Sequence, residues 1–383
     1  MKTVAIDIRL IGRKRTGDET VFRNLVSVLV RRRDETIRYL LLTDRTEESE
    51  LDELRTILGV NESADVTLVP LRASNRFLWN LFVLPRFLMT TPVDIFHTQY
   101  ILPAFIPRRT NIVTHIHDIS FRRFSEYISW TDRIFLGCFI PRTMRRSDLL
   151  VTPSRFTKDE IVAAYGVPPE RVTVVPNAAD SRFSDPVSEE DIERVRQKYD
   201  LSKRFILSVG TMQPRKNIPT LIRAFHELRK RTPEYSLVLV GGRGGHNYDR
   251  EIEHIIRARD LGEAVHFPGY VDDADLPAIY AAARLLVLPS RYEGFGVPII
   301  EALAAGTPVI ASDIPPFREV GGEAVRYFPL DDIAVLTDTM YTFSMDTDAR
   351  KRALSLGQER SRVFSWESSA DTLMRAYLSL IRK

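Results

Sequence analysis

Along the chain, short runs of β-branched and aliphatic residues alternate with longer segments whose apolar positions return every three or four residues. The runs 3–8, 39–43, 66–71, 94–98, 111–117, 149–152 and 172–175 read as strands in the first half, and 205–209, 236–240, 264–267, 285–288 and 308–311 in the second. Helical patterns at 21–31, 191–199 and 276–282 lie between them, and a last one over 366–381 carries Leu373, Ala376, Tyr377, Leu380 and Ile381 at helical spacing. Strands alternating with helices build a parallel sheet covered on both faces, so the predicted class is α/β. Two such series predict two doubly wound, Rossmann-like domains, 1–183 and 184–365, with a closing segment 366–383. The break is expected at 180–188, where Ser, Asp and Pro cluster. Ligands of open α/β sheets bind beyond the carboxyl ends of the strands, so two such domains facing one another predict a cleft that holds the chemistry.

A length of 383 residues exceeds one ordinary core, and 44% hydrophobic with 27% charged residues is a globular balance, not a disordered or fibrous one. The single cysteine, Cys138, lies in the apolar run Phe135-Leu136-Gly137-Cys138-Phe139-Ile140 and is expected to be a buried, inert thiol. One cysteine forms no intrachain disulfide, which favours a reducing compartment. Met1-Lys2-Thr3 runs straight into Val4-Ala5-Ile6-Asp7 without an apolar leader, so a cytoplasmic chain is expected. The apolar stretch 77–85 falls short of the roughly 20 residues a spanning helix needs.

Net charge is only +3, yet residues 1–183 hold 27 Lys and Arg against 22 Asp and Glu, while the remainder holds 27 against 29. Arg31, Arg32, Arg33, Arg142, Arg145 and Arg146 sit near helix ends, where cations complement the dipole. With the aromatic stretch Arg76-Phe77-Leu78-Trp79-Asn80-Leu81-Phe82 they also suit a peripheral contact with an anionic membrane surface. No basic-aromatic motif or large charge excess points to nucleic acid.

The most informative segment is Pro289-Ser290-Arg291-Tyr292-Glu293-Gly294-Phe295-Gly296-Val297-Pro298-Ile299-Ile300-Glu301-Ala302. A strand ending near Leu288 is followed by a turn with two glycines and a helix from about Val297, so backbone N–H groups can approach an anion at a helix N-terminus. Such turns are commonly only structural, and a helical glutamate is commonly a solvated one. The carboxylates Glu293 and Glu301 on either side of this turn balance the functional against the structural reading.

With seven residues between these glutamates, the chain resembles the retaining GT-B glycosyltransferases of glycosyltransferase family 4. The segments Gly210-Thr211-Met212-Gln213-Pro214-Arg215-Lys216-Asn217, Phe267-Pro268-Gly269-Tyr270-Val271 and Ala305-Gly306-Thr307-Pro308-Val309-Ile310-Ala311 carry the same resemblance in the family's order. It implies a nucleotide-sugar donor, with Glu293 and the amides of Gly294, Phe295, Gly296 and Val297 at the sugar side, and Glu301 on the nucleotide ribose. Arg215 and Lys216 would hold the diphosphate, although many relatives place an arginine where this chain has Thr211. Val240-Gly241-Gly242-Arg243-Gly244-Gly245 and Tyr270-Val271 would border the base. The resemblance leans toward mannosyltransferases, hence GDP-mannose as donor and a glycan or lipid-linked saccharide as acceptor. It implies no cofactor and no metal.

In the first half, Thr16-Gly17-Asp18-Glu19-Thr20 precedes a helix and resembles the family's glycine loop, which makes Gly17 a donor-side candidate. A plain helix cap from Asp18 or Thr16 is the equal alternative. His115-Ile116-His117-Asp118 ends a predicted strand, with both histidines on one face, and the resemblance matches His117 to a histidine contacting the donor sugar. Asp272-Asp273 reads as an N-cap for 276–282, not a metal pair. Two other readings stand beside transfer: a nucleotide-sugar epimerase of the same fold, which needs no acceptor, and a catalytically silent glycan- or nucleotide-binding partner, against which Glu293, Lys216 and Glu301 speak.

Overall fold

The computed structural model describes residues 1–13, 17–32, 36–60, 65–124, 130–242, 247–269 and 271–381. The chain divides into two units, one made of Met1–Ile119, Trp130–Asn177 and Ser365–Lys383, the other of Ser120–Ser129 and Ala178–Phe364.

The first unit is built on seven strands, β1 Lys2–Asp7, β2 Ile37–Thr43, β3 Val66–Pro70, β4 Ile95–Gln99, β5 Asn111–His115, β6 Leu149–Thr152 and β7 Val172–Val174. They lie in the order β3-β2-β1-β4-β5-β6-β7, and every pair is parallel. Ala5, Leu40, Leu42 and Phe96 from the strands pack with Trp79, Leu84 and Leu88 in one core layer. The helices Gly17–Arg31 and Trp366–Ile381 pack against one another. Leu373 and Tyr377 of the latter are fully buried, the Tyr377 hydroxyl shares a hydrogen bond with His97 Nδ1, and Arg32 pairs with Asp371.

The second unit holds β8 Phe205–Val209, β9 Ser236–Val240, β10 Val265–His266, β11 Leu285–Leu288, β12 Val309–Ser312 and β13 Val325–Phe328. Their order is β10-β9-β8-β11-β12-β13, again all parallel. Alternation of side chains along each strand builds two core layers. Leu207, Val238, Leu286 and Leu288 enter one, with Ile299 and Phe317 from the helices Val297–Ala304 and Pro315–Gly321. Ile206, Leu237, Leu239 and Val287 enter the other, with Leu221, Phe225 and Leu336 from the helices Ile218–Arg229 and Ile333–Met345. In both sheets the strand order reverses beside the first strand, at β1/β4 and at β8/β11, the position where doubly wound sheets open a ligand crevice.

Several sequence expectations are corrected. Cys138 is exposed, because its helix, Trp130–Arg146, turns part of the apolar run outward, where Phe135 packs with Phe139 and with Phe77. Gly17–Thr20 are already helical, so the first helix starts four residues earlier than the apolar pattern suggests; Thr16 lies outside the described residues. The N-cap position of Leu276–Ala282 is Asp275, whose side chain makes no cap bond. Asp275 is instead buried among Arg194, Lys198 and the Tyr199 hydroxyl, and Asp272 pairs with Lys198 at 2.7 Å. An additional edge strand, β13, escapes the pattern because Arg326 and Tyr327 interrupt its apolar run.

Candidate functional site

The carboxyl ends of β8 and β11 bring Arg215, Lys216 and Glu293 together. The chain leaves β8 through Gly210, with φ +147, and enters a 3-10 turn, Pro214–Lys216. It leaves β11 through Pro289 and Ser290 to reach Glu293. Arg215 Nη1 lies 3.1 Å from Glu293 Oε2, Lys216 Nζ contacts Oε1, and the Ser290 hydroxyl donates to Oε1 at 2.9 Å. Burial alone would favour the neutral acid, but Lys216 and Arg215 overcome it and hold the Glu293 carboxyl at about 2, so it is an anion at neutral pH.

Residues that sequence reasoning did not single out for the site fix this geometry. Asn217 adopts the left-handed conformation, φ 55, which turns the 3-10 segment into the helix Ile218–Arg229. Its side-chain amide donates to the Pro289 carbonyl and to Asp331 Oδ1, both at 3.1 Å. Arg291 binds Asp331 through two guanidinium nitrogens, at 2.6 and 2.8 Å, and its backbone N–H donates to the Arg215 carbonyl at 2.8 Å. The loops after β8, β11 and β13 are thereby tied together. Asp331 is too distant in sequence from Asn217 for spacing to reveal the tie.

Two glycines near these loops are required by backbone conformation and close approach. A Cβ on Gly241, φ +148, would stand 1.9 Å from the Gly210 carbonyl oxygen, and one on Gly296, φ +104, would stand 2.7 Å from the Phe317 ring. Gly296 caps the helix Val297–Ala304, so its tight approach sets where the first helical amide lies. Gly294 is buried at the start of this turn. The Phe295 side chain belongs to the core and meets Phe364 edge-on at 5.7 Å, leaving its backbone as the part able to face a ligand. Val297 is half-buried and Val271 is a core residue, whereas Tyr270 and residues 243–246, two of them glycines expected near the base, lie outside the described residues.

Glu301, about one turn along that helix, has a different environment. Tyr280 donates its hydroxyl to Oε2 at 2.8 Å. Burial, reinforced by the charges of Asp180 and Asp273 and only partly offset by Tyr280 and Arg182, raises the Glu301 carboxyl to about 7. Two glutamates on one short segment are thus held in opposite ways, the separation that acid–base and binding sites use.

The first-half candidates belong to the other unit. His117 is buried, its Nε2 lies 2.9 Å from Gln99 Oε1, and its ring stacks on His115 at 4.4 Å. His115 in turn lies parallel to His97 at 6.2 Å. Burial holds His97 down to about 3 and His115 well below its ordinary value, so both rings are neutral. Stacked rings do not converge on a point, and among the described residues no group of three His, Cys, Asp or Glu side chains could hold a metal ion. Gly17 is the first helical residue, with open space where a Cβ would lie.

Two parallel sheets with matching switch-point order, with a carboxylate–cation cluster at the switch point of the second, are the architecture of the GT-B class. Residues 15–183 match the Glycosyltransferase Family 4 model and residues 189–355 match that of the Glycosyl transferases group 1. O-antigen chain mannosyltransferase B of Escherichia coli is 34% identical over 278 residues, covering 71% of this chain and 72% of the relative. O-antigen chain mannosyltransferase RfbU of Salmonella typhimurium is 31% identical over 59% of each chain. The structure of a sucrose-phosphate synthase from Thermosynechococcus elongatus superposes with a TM-score of 0.76 over the whole of both chains at 21% identity, a likeness of fold. The chain belongs to this glycosyltransferase family and is a glycosyltransferase.

The raised Glu301 carboxyl links stability to pH. The folded state keeps a proton from about pH 4.5 to 7 that the unfolded state releases, so the contribution is full below 4.5 and lost as pH rises through 7. Glu301→Gln, which mimics the protonated acid, is expected to match the wild type at pH 4.5 and to exceed it by about 2–3 kcal/mol at pH 8.5. Urea unfolding at both values tests this; a difference that does not grow with pH contradicts it.

Proposed function

We propose that the protein transfers a mannosyl residue from GDP-mannose to a glycan or lipid-linked acceptor, with retention at the anomeric carbon and without a metal. The observation that carries this reading is the Glu293 carboxylate held between Lys216 and Arg215 at the end of β11. A departing nucleoside diphosphate gains negative charge, and cations fixed in place stabilise it without reorganisation. In this reading Lys216 and Arg215 meet the diphosphate, the amides at Gly294, Phe295, Gly296 and Val297 and the Glu293 carboxylate meet the sugar, and Glu301 accepts from ribose hydroxyls. Val271 borders the base, and Gly17 and His117 act from the first unit on donor and sugar. The mannosyl preference draws support from the names of the two O-antigen relatives.

Glu293→Gln is expected chiefly to lower kcat, by about tenfold to thousandfold, because its charge acts where positive charge develops. Glu301→Gln is expected chiefly to raise the donor KM and weaken GDP binding, by about 1.5–3 kcal/mol for a charge-assisted hydrogen bond. Steady-state kinetics with GDP-mannose, GDP titrations and melting temperatures separate these effects. Wild-type kinetics in both variants, or losses that track folded protein alone, rule the assignment out. Activity is also expected to persist in excess chelator; loss restored by magnesium or manganese refutes metal independence.

A membrane-facing role for the first unit rests on a surface patch. Phe77, Leu78, Leu81, Phe82 and Phe105 are exposed, the Arg76 guanidinium lies over the rings of Phe77 and Phe135, and Arg142 binds the carbonyls of Pro103 and Ala104 beside them. Among the described residues no helix is long and apolar enough to cross a membrane. Aromatic side chains among arginines suit the interface of an anionic bilayer. Flotation with phosphatidylglycerol vesicles is expected to show binding at low salt that weakens as salt rises and is lost in Phe82→Asp; no binding at low ionic strength removes the idea.

A further inference from the structure

The opposite end of the second sheet carries a feature that the transfer reading leaves unused. Where the chain enters β8 and β11, a cavity of about 360 Å³ has Lys203, Arg204, Tyr235, Arg284, Ser344 and Arg350 among its lining residues. Four of the six are cationic. β11 is only four residues long, so this cavity and Glu293 are separated by the length of a strand, on the order of 10 Å or more.

The polar atoms here are only partly satisfied. Arg284 reaches the Ser344 carbonyl through one guanidinium nitrogen, Tyr235 donates to the same carbonyl at 3.4 Å, and Arg204 pairs with Glu234 at 2.9 Å. The Nε atoms of Arg284 and Arg350 and the hydroxyl of Ser344 are buried without a hydrogen-bond partner among the described residues. Ser344 itself is 4% exposed. The acidic group next along the chain, Asp346, is committed to the amides of Asp348 and Ala349. Burial and the neighbouring charge of Arg284 both press the Arg350 guanidinium below its ordinary value.

Arg204 is paired with Glu234 and Lys203 is exposed, so the part-buried charges of this cluster without an acidic partner among the described residues are those of Arg284 and Arg350, and they favour an anion in the cavity beside them. We propose that this cavity is a second anion site, distinct from the donor site, which binds a phosphate group, either free or carried by a small organic ester. The guanidinium groups and the Lys203 ammonium match the several acceptor oxygens of phosphate, and the volume admits a substituent larger than phosphate alone. Tyr235 and the helix end Ala281-Ala282 supply the less polar wall for that substituent.

Calorimetric titration of the full chain at constant chloride, with inorganic phosphate in one arm and glycerol phosphate in the other, tests the site. Saturable binding is expected in at least one arm, and the tighter arm identifies the free or the esterified source. Arg350→Gln and the exposed Lys203→Glu are each expected to weaken that binding by about tenfold or more. Lys203→Glu guards against a loss caused by misfolding. Excess GDP should leave the binding unchanged. Absence of binding in both arms, wild-type affinity in both variants, or displacement by GDP overturns the proposal, the last because it would assign the phosphate to Lys216 and Arg215.

Discussion

A buried carboxylate facing two cations sets the architecture around β8 and β11. Glu293 stays ionised away from water only because Lys216 and Arg215 are delivered to its two oxygens and Ser290 donates to one of them. Delivering them requires the sharp Pro214–Lys216 turn, and that turn ends in the left-handed Asn217. Asn217 can hold this conformation because its amide finds Pro289 and Asp331, and Arg291 closes the tie by bonding both Asp331 and the Arg215 carbonyl. Removing the carboxylate would leave two like charges facing each other in a part-buried pocket, a change that costs about 3–5 kcal/mol in comparable buried pairs. The cluster keeps one net positive charge, so an anionic ligand meets attraction without having to break the internal pair.

The same segment shows how environment alone gives one residue type two states. Glu293 and Glu301 are separated by seven residues and lie on either side of a single glycine turn. One is held near 2 by cations on a neighbouring loop, the other is raised to about 7 by burial and by Asp180 and Asp273, with the Tyr280 hydroxyl as its hydrogen-bond partner. A group that titrates near neutrality responds strongly to any ligand donor brought to it, whereas one held near 2 supplies a constant field. The first property suits recognition, the second suits stabilising charge as it develops.

Much of this fold was legible because buried parallel strands leave an unambiguous mark. The apolar runs that became β6, β8, β9 and β11 match their observed limits, since residues packed on both faces of a sheet tolerate few polar interruptions. β13 failed that test because an edge strand, paired on one side only, accommodates Arg326 and Tyr327. Cys138 was misread for the opposite reason: an apolar helical run is assumed to face a core, but here some of its aromatics pack with one another at the surface. At the site, the glutamates and the Arg215–Lys216 pair were visible as motif residues, while Asn217 and Asp331, more than a hundred residues apart, meet only once three loops are folded together. Asp272 looks like a cap residue in the sequence because capping is local; the ion pair with Lys198 that claims it, like those of Asp275 with Lys198 and Arg194, comes from a helix more than seventy residues away.

The helix Trp366–Ile381 belongs to the first unit although it follows the second in the sequence. The chain leaves that unit at Asn177 and returns to it at Ser365, so the unit's packing includes residues that follow the whole of the second sheet in the sequence. Tyr377 is fully buried against His97, and Ser369 donates to the Pro176 carbonyl, so the returning helix ties down both the histidine stack and the point where the chain departs. His97 is neutral because it is shut away from water. Without Trp366–Ile381 the same imidazole would lose its hydroxyl partner and part of its cover, and its proton affinity would return toward that of an ordinary histidine. The depressed proton affinity of His97 therefore depends on residues 366–381 as well as on the first 177, within which it and its stacked neighbours His115 and His117 lie.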